Sequence, residues 1–219
     1  MKERPILFSG PMVRAILEGR KTVSRRLVTV PWSGSKRSLP YEPYWVDEDG
    51  ELFVMDEGGA YEPAEHAIGG RFGAKGDRLW VKETFQPFWA DPDIRPTKGW
   101  KDGRDGYRIN YVADSEPEPY EHEDDLRLTP SIFMPRWASR ILLEVVSVRI
   151  ERLHKITEED AKREGVDPTN GHQIRGALIG NGPSHREGFA QIWEDINGKR
   201  ASWASNPWVF RVEFRKVRQ

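Results

Sequence analysis

The sequence contains no cysteine among its 219 residues. Disulfide bonds, a thiolate nucleophile and every zinc site that uses cysteine ligands are therefore excluded. Long apolar runs are also missing, since no stretch reaches the length of a transmembrane helix. The N-terminal segment MKERPILFSG has no apolar run long enough for a signal peptide. We therefore expect a cytoplasmic protein without a membrane partner.

A strong excess of one charge is absent as well. The 34 basic and 35 acidic residues give a net charge of −1, which argues against a protein that coats nucleic acid by bulk electrostatics. A local basic cleft is compatible with this balance and would favour a small or single-stranded ligand. Hydrophobic residues make up 37% of the chain, so the core is modest, and the aromatic rings must supply much of it.

The few histidines do not suggest a metal site, because none of them shows a close ligand spacing such as H-E-x-x-H. We expect neither a metal nor a cofactor. The five histidines are His66, His122, His154, His172 and His185.

The most unusual stretch is GRKTVSRR at residues 19–26, which packs four cations and two hydroxyls into eight positions. Its glycine ends a predicted helix, because glycine adopts positive φ without steric cost. The following residues alternate like a strand, so Thr22, Ser24 and Arg26 should project from one face. Lys21 could then share a pocket with the Ser24 hydroxyl. A solvated basic edge strand is the alternative interpretation.

Hydrophobic periodicity and capping residues predict five or six strands and three short helices, which indicate one α+β domain. In the last helix, Ser184 and Glu187 match a capping box, and an apolar stripe includes Ile196. The predicted strands are 5–8, 22–30, 77–85, 107–112, 141–153 and 208–217, and the predicted helices are about 9–18, 157–165 and 184–197.

Two segments, at about 31–75 and 87–130, look like irregular insertions into a single domain that covers residues 1–219. Within the first insertion, Asp49-Gly50 is typical of a β-hairpin turn. Within the second, the acidic segment 116–125 is expected to face solvent.

Four segments together resemble the ASCH family, a branch of the PUA-like β-barrels: ILFSGPMVRAILEGRKTVSRR, GDRLWVKETF, ITEEDAKREGV and NPWVFRVEFRKV. With PRWASRI before its long strand, the chain is similar to the larger ASCH proteins of bacteriophages and prophages. The resemblance covers roughly residues 4–30, 76–86 and 131–217. It implies a PUA-like small β-barrel with short flanking helices and a cleft suited to a base, a nucleoside or a short RNA.

Some compact ASCH proteins are amidohydrolases that remove the acetyl group from N4-acetylcytidine. Their signature is GRKT-x-T-x-R with a later glutamate at the end of a Thr- and Glu-rich helix. The matching positions here are Lys21, Ser24, Arg26 and Glu164. Serine replaces the second threonine of the signature but keeps the hydroxyl. The resemblance therefore implies Lys21, Ser24 and Glu164 as catalytic residues.

Amide cleavage needs a nucleophile, a base and stabilisation of the oxyanion. Ser24 could attack if burial lowers the pKa of Lys21 enough for the amine to accept a proton. Glu164 could hold the lysine or pass a proton to the leaving amine, and a water activated by the Lys–Glu pair is a second route. Arg26 could bind a phosphate or the carbonyl oxygen. Thr22 is a further candidate for ligand binding, although its hydroxyl is better suited to ordering the turn.

Aromatic side chains near this site could stack on a base, as they do in proteins that read single strands and RNA. Trp80 and Trp137 are the candidates, because each lies in a family-like segment beside basic residues. Core packing is the alternative role for both rings.

Three other functions fit the same residues. One is a binding module that reads RNA or a modified base without catalysis. Another is an interaction protein of phage biology, in which the insertions form the working surface. The third is a ribonuclease, in which Arg25 or Arg26 supplies a second cation near the scissile phosphate. The sequence does not indicate an oligomeric state.

Overall fold

The computed structural model describes residues 1–28, 44–46, 52–55, 61–63, 72–89, 107–114, 128–166 and 184–217. These residues form ten strands and three α-helices. The strands are β1 (Glu3–Leu7), β2 (Val23–Leu27), β3 (Tyr44–Val46), β4 (Leu52–Met55), β5 (Tyr61–Pro63), β6 (Arg78–Lys82), β7 (Phe85–Trp89), β8 (Tyr107–Tyr111), β9 (Leu142–Arg152) and β10 (Trp208–Val217). The helices are α1 (Gly10–Leu17), α2 (Glu158–Arg163) and α3 (His185–Asn197).

The central element is a five-stranded sheet with the order β1-β6-β9-β10-β2. Strand β1 runs parallel to β6, and the other three pairs are antiparallel. The predicted α+β class is confirmed, because the core is mostly sheet with a few helices beside it. The two longest strands, β9 and β10, form the centre and carry the alternating apolar residues that the sequence shows.

One face of this sheet covers the main hydrophobic core. Phe210 and Val212 of β10 contribute to it together with Val145 of β9 and residues of β1, β6 and α1. The register between β9 and β10 shifts between Glu213 and Phe214, which is the pattern of a β-bulge.

The sheet is open, so the predicted small β-barrel is not confirmed. Strands β1 and β2 are the two edges, and no ladder joins them in the described part of the chain. A side chain spans the gap instead, since Arg26 Nη2 of β2 donates a hydrogen bond to the main-chain carbonyl of Leu7 in β1. The edges therefore come within side-chain reach of each other, but backbone pairing does not close the sheet.

Helix α1 connects these two edge strands. The helix ends at Leu17, and Gly19, two residues later, has a φ of 78°, a conformation that glycine adopts without strain. The chain then turns back, and the Lys21 amide donates a hydrogen bond to the Ala15 carbonyl at 2.9 Å. This turn fixes Lys21 at the entrance to β2.

Helices α2 and α3 pack on the opposite face of the sheet and form a second apolar cluster there. Phe189 and Trp193 of α3 meet Val209 of β10 and Ala161 of α2. The predicted capping box at the start of α3 is confirmed. The prediction that Ile196 belongs to the buried stripe is wrong, because Ile196 is 60% exposed.

The described parts of the two predicted insertions contain short antiparallel sheets. Strands β3, β4 and β5 form one sheet, and β7 pairs with β8 to form another. The β7–β8 pair packs through Phe85 against Met134 and Ala138. The Asp49-Gly50 turn and the acidic segment 116–125 lie outside the described residues.

No helix among the described residues is long and apolar enough to cross a membrane.

The main core predicts a large effect of truncating Phe210, which is 1% exposed and makes an edge contact with Phe72 at 5.5 Å. We expect Phe210→Ala to lower the free energy of unfolding by about 3–5 kcal/mol, since it removes a buried ring and leaves a cavity. Ile196→Ala on the exposed side of α3 is the control and should change it by less than about 0.5 kcal/mol. Urea unfolding followed by circular dichroism measures both, and equal effects would contradict the assigned core.

Candidate functional site

Lys21 and Glu164 form a buried ion pair across 143 positions of the chain. The Lys21 Nζ donates to Glu164 Oε2 at 2.8 Å, to the Glu164 carbonyl at 2.8 Å and to the Val23 carbonyl at 2.8 Å. The two side chains are only 1% and 4% exposed. All three N–H groups of the ammonium therefore have an acceptor, and the described arrangement is that of a charged lysine.

The end of α2 places Glu164 for this contact. Thr157 caps the start of the helix by accepting a hydrogen bond from the Asp160 amide, and Glu164 follows the last helical turn. Because the C-terminal carbonyls of a helix carry partial negative charge, a cation beside them is favourable. Lys21 thus binds both the carboxylate and the terminal carbonyl of the same residue.

A glycine allows this close approach. Gly165 has a φ of 83°, and a Cβ at this position would lie 2.8 Å from Ala15 Cβ and 3.0 Å from Lys21 Cβ. A side chain there would push α2 away from α1 and separate the ion pair. Gly165 is therefore part of the site, although it carries no functional group.

The electrostatic environment of Lys21 has opposing parts. Burial lowers the pKa of the Lys21 ammonium, while the charge and hydrogen bond of Glu164 raise it. The positive charges of Arg26 and Arg25 lower it further, and the net shift is downwards. A lowered pKa is the condition under which a lysine can accept a proton near neutral pH.

Ser24 lies on β2 opposite Val212 of β10, and only 3% of it is exposed. Because Val212 belongs to the main core and cross-strand partners share a face, Ser24 faces that core. Among the described residues, its hydroxyl makes no hydrogen bond, neither to Lys21 nor to Glu164. The structure thus brings Lys21 and Glu164 together and places Ser24 on the core-facing side of β2, without a hydrogen bond to either.

Thr22 has a structural contact. Its Oγ1 accepts a hydrogen bond from Arg163 Nε at 3.2 Å, and its amide donates to the Arg163 carbonyl at 2.9 Å. The interpretation of Thr22 as a residue that orders the turn agrees with these bonds.

Arg26 shares the face of β2 with Ser24, as alternation predicts. Its guanidinium carbon lies 5.1 Å from the centroid of the Phe8 ring, and Lys21 Nζ lies 5.5 Å from the same centroid. These are cation–π distances. Phe8, which the sequence interpretation did not include, therefore joins Lys21 and Arg26 in one site.

The two candidate tryptophans lie elsewhere. Trp80 is on the face of β6 opposite Leu79 and Val81, which are core residues, and its ring lies 5.5 Å from Lys82 Nζ. Trp137 packs against the small cluster around Phe85. In the described part of the chain, neither ring has a ring or hydrogen-bond contact with the Lys21–Glu164 pair.

Arg25 is the residue whose role the sequence interpretation missed. It faces the helices, opposite to Ser24, and its side chain is 0% exposed. Its guanidinium donates to Glu151 at 2.7 and 3.0 Å, to Asp160 at 2.6 Å and to Glu164 at 3.3 Å. Arg211 of β10 binds the second oxygen of Asp160 at 2.9 Å. A buried layer of charges therefore joins the sheet to α2.

Part of this layer was visible in the sequence. Alternation along β2 already places Arg25 opposite Ser24, and Asp160 and Glu164 are spaced four residues apart, which puts them on one side of a helix. Glu151 carries no such local signal, because it is one of several polar residues that alternate along β9.

No group of three His, Asp or Glu side chains in the described ranges is arranged to hold a metal ion. His66, His122 and His172 lie outside those ranges.

Comparisons with known proteins add no further assignment, since no family model, curated protein or solved structure matches the chain. The ASCH resemblance accordingly stays a prediction from the motifs.

The buried pair predicts strong energetic coupling between Lys21 and Glu164. We expect Lys21→Met and Glu164→Gln each to destabilise the protein by about 3–5 kcal/mol, because each breaks the buried ion pair by removing one of its two charges. The double variant should lower the free energy of unfolding by clearly less than the sum of the two single effects. Unfolding free energies in a double-mutant cycle give the coupling.

The exposed pair of Arg20 and Glu18 provides the control for this cycle. Glu18→Gln should change the free energy of unfolding by less than about 1 kcal/mol, since the pair is solvated. Strictly additive effects of Lys21→Met and Glu164→Gln would contradict the pairing.

The contacts of Asp160 predict that the folded protein loses stability at acidic pH. Burial raises the pKa of this carboxyl, but hydrogen bonds and charge from Arg211 and Arg25 outweigh it and lower the pKa from 3.8 to about 2. The contribution of the ionised Asp160 carboxylate to the free energy of unfolding is therefore present above about pH 4 and is lost as the pH falls towards 2.

The comparison of wild type with Asp160→Asn tests this dependence. We expect wild type to be more stable at pH 7 and its advantage to shrink by about 2 kcal/mol or less between pH 4 and pH 2. Urea unfolding at several pH values measures the difference, and an advantage that does not change with pH would argue against the assigned contacts.

Proposed function

We propose that the protein is an ASCH-like, PUA-like protein that binds a nucleobase or nucleoside and hydrolyses N4-acylated cytidine. The observation that carries this proposal is the buried contact between Lys21 Nζ and Glu164 Oε2 at 2.8 Å. The two residues were paired from the family signature alone, and they are distant in sequence. Their contact is what a shared site requires.

The electrostatics support a reactive lysine. Burial lowers the pKa of Lys21, and Ser24, three residues further along the chain, carries a hydroxyl of the type that a neutral amine activates. In the first step, Ser24 Oγ attacks the acetyl carbonyl and Lys21 accepts the hydroxyl proton. That proton then passes to the leaving N4 atom of cytosine, and water hydrolyses the acetyl-serine.

This chemistry requires a change at Lys21. As described, its three N–H groups are all engaged, so the amine must lose a proton before a lone pair can face Ser24. Glu164 is an available relay, because it holds one of these protons. A water activated by the same pair is the second route, and it needs no covalent intermediate.

The assay uses purified protein and N4-acetylcytidine, with cytidine release followed by chromatography. We expect release by wild type and a loss of at least about 100-fold in Ser24→Ala if serine is the nucleophile. Ser24→Thr restores the residue of the family signature and should keep activity. If water attacks directly, Ser24→Ala should retain most of the rate.

Ser24 is the position of choice because its hydroxyl makes no hydrogen bond among the described residues, so its removal should leave the fold unchanged. Circular dichroism and unfolding of each variant provide the folding control. No cytidine release by micromolar wild type over hours would exclude the amidohydrolase.

A non-catalytic reader of a modified base is the second candidate. The full engagement of the Lys21 ammonium favours it, because this arrangement stabilises the charged form. Saturable binding of cytidine derivatives without turnover in the same experiment would select this function.

The ribonuclease alternative needs a second cation near the scissile phosphate. Arg25 is buried against three carboxylates and does not present its guanidinium to a ligand. Arg26 donates a hydrogen bond to the Leu7 carbonyl and lies over the Phe8 ring, so this alternative has less support than the other two.

A further inference from the structure

Arg25 and Lys21 share one carboxylate. Lys21 binds Glu164 Oε2 at 2.8 Å, and Arg25 Nη1 binds Glu164 Oε1 at 3.3 Å. Each cation therefore occupies one oxygen of the same group. Because an arginine keeps its charge at every relevant pH, Glu164 always has a second cation beside it.

Arg25 itself is held rigidly. Glu151 of β9 accepts two of its hydrogen bonds, and Asp160 of α2 accepts another. Arg211 binds the remaining oxygen of Asp160. The guanidinium is thus fixed from β9 and α2, so it cannot move towards or away from Glu164 without breaking these contacts.

We propose that Arg25 is a positioning residue for Lys21: it holds the Glu164 carboxylate from the far side and limits how tightly that carboxylate retains the ammonium proton. This inference rests on the proposed function insofar as Lys21 is the proton acceptor there. The Arg25 side chain makes its hydrogen bonds to Glu151, Asp160 and Glu164, so it acts on Lys21 through Glu164.

The charges around Lys21 fit this role. Glu164, at the end of α2, is the one anion in contact with the ammonium among the described residues, and Arg25 and Arg26 of β2 are the cations that act on it. The segment after β1 adds the Phe8 ring. Without Arg25, both Glu164 oxygens would be free to accept hydrogen bonds from Lys21. The repulsion between the Arg25 guanidinium and the Lys21 ammonium would also be removed. Lys21 should then hold its proton to a higher pH.

The test is the titration of Lys21 in Arg25→Gln. Protein labelled with ¹³C and ¹⁵N at lysine is followed by NMR as the pH is raised, and the Lys21 signal is assigned by its loss in Lys21→Arg. We expect the midpoint in Arg25→Gln to move upwards by about one pH unit. An unchanged or lower midpoint would overturn the inference.

Arg211→Gln is the matched control, because Arg211 is buried in the same charge layer but does not contact Glu164. It removes the same charge and should shift the Lys21 midpoint much less. Equal shifts in the two variants would show a general charge effect and overturn the positioning role.

Arg25→Lys carries the test if Arg25→Gln does not fold. Its ammonium keeps the charge but lacks the fork that reaches three carboxylates, so Glu164 should be partly released and the Lys21 midpoint should rise by a smaller amount. No rise in this variant would overturn the inference as well.

The titration needs no substrate, so its outcome is separate from that of the hydrolysis assay. A midpoint shift without cytidine release would support the positioning role and exclude the amidohydrolase. Cytidine release without a midpoint shift would support the amidohydrolase and overturn the positioning role of Arg25. If both hold, the rate of Arg25→Gln should need a higher pH to reach its plateau.

Discussion

Burial of charge between the central sheet and α2 is the constraint on which the site depends. Lys21 and Arg25 are both enclosed, and an enclosed cation without a partner would cost several kcal/mol. Helix α2 must therefore dock with its acidic side against β2. Hydrophobic contacts alone tolerate sliding, whereas these paired charges fix one position of the helix. The ion pairs thus contribute specificity of docking more than net stability.

The two faces of β2 have different roles. The face with Arg25 holds the charge layer and α2, while the face with Ser24 and Arg26 turns towards the main core and Phe8. Lys21 lies two residues before the start of β2. From there its side chain contacts Glu164 on one side and the Phe8 ring on the other. A site at the end of a strand can join both faces in this way. The open sheet supports the arrangement, because Arg26 spans the gap between β2 and β1.

The sequence predicted the features that depend on near neighbours. The capping box of α3 is confirmed because Ser184 and Glu187 are one turn apart, and β10 is confirmed because alternation is local. Features set by distant partners were not predictable in the same way. The three carboxylates around Arg25 lie 126, 135 and 139 residues away from it, and no spacing rule connects them. Closure of the sheet likewise depends on which edges meet, and the predicted barrel is not confirmed. Lys21 and Glu164 were paired only through a family signature.

The protonation state of Lys21 decides between a site that hydrolyses its ligand and one that only binds it. Three acceptors and an aromatic ring stabilise the ammonium, whereas burial and two neighbouring arginines destabilise it. A non-catalytic site agrees with the first set of interactions, because a lysine that keeps its charge does not act as a base. Hydrolysis needs the second, because only a neutral amine accepts the serine proton. Arg25 acts in both respects: it holds α2 against β2 through Asp160 and Glu164, and its charge beside Glu164 lowers the pKa of Lys21.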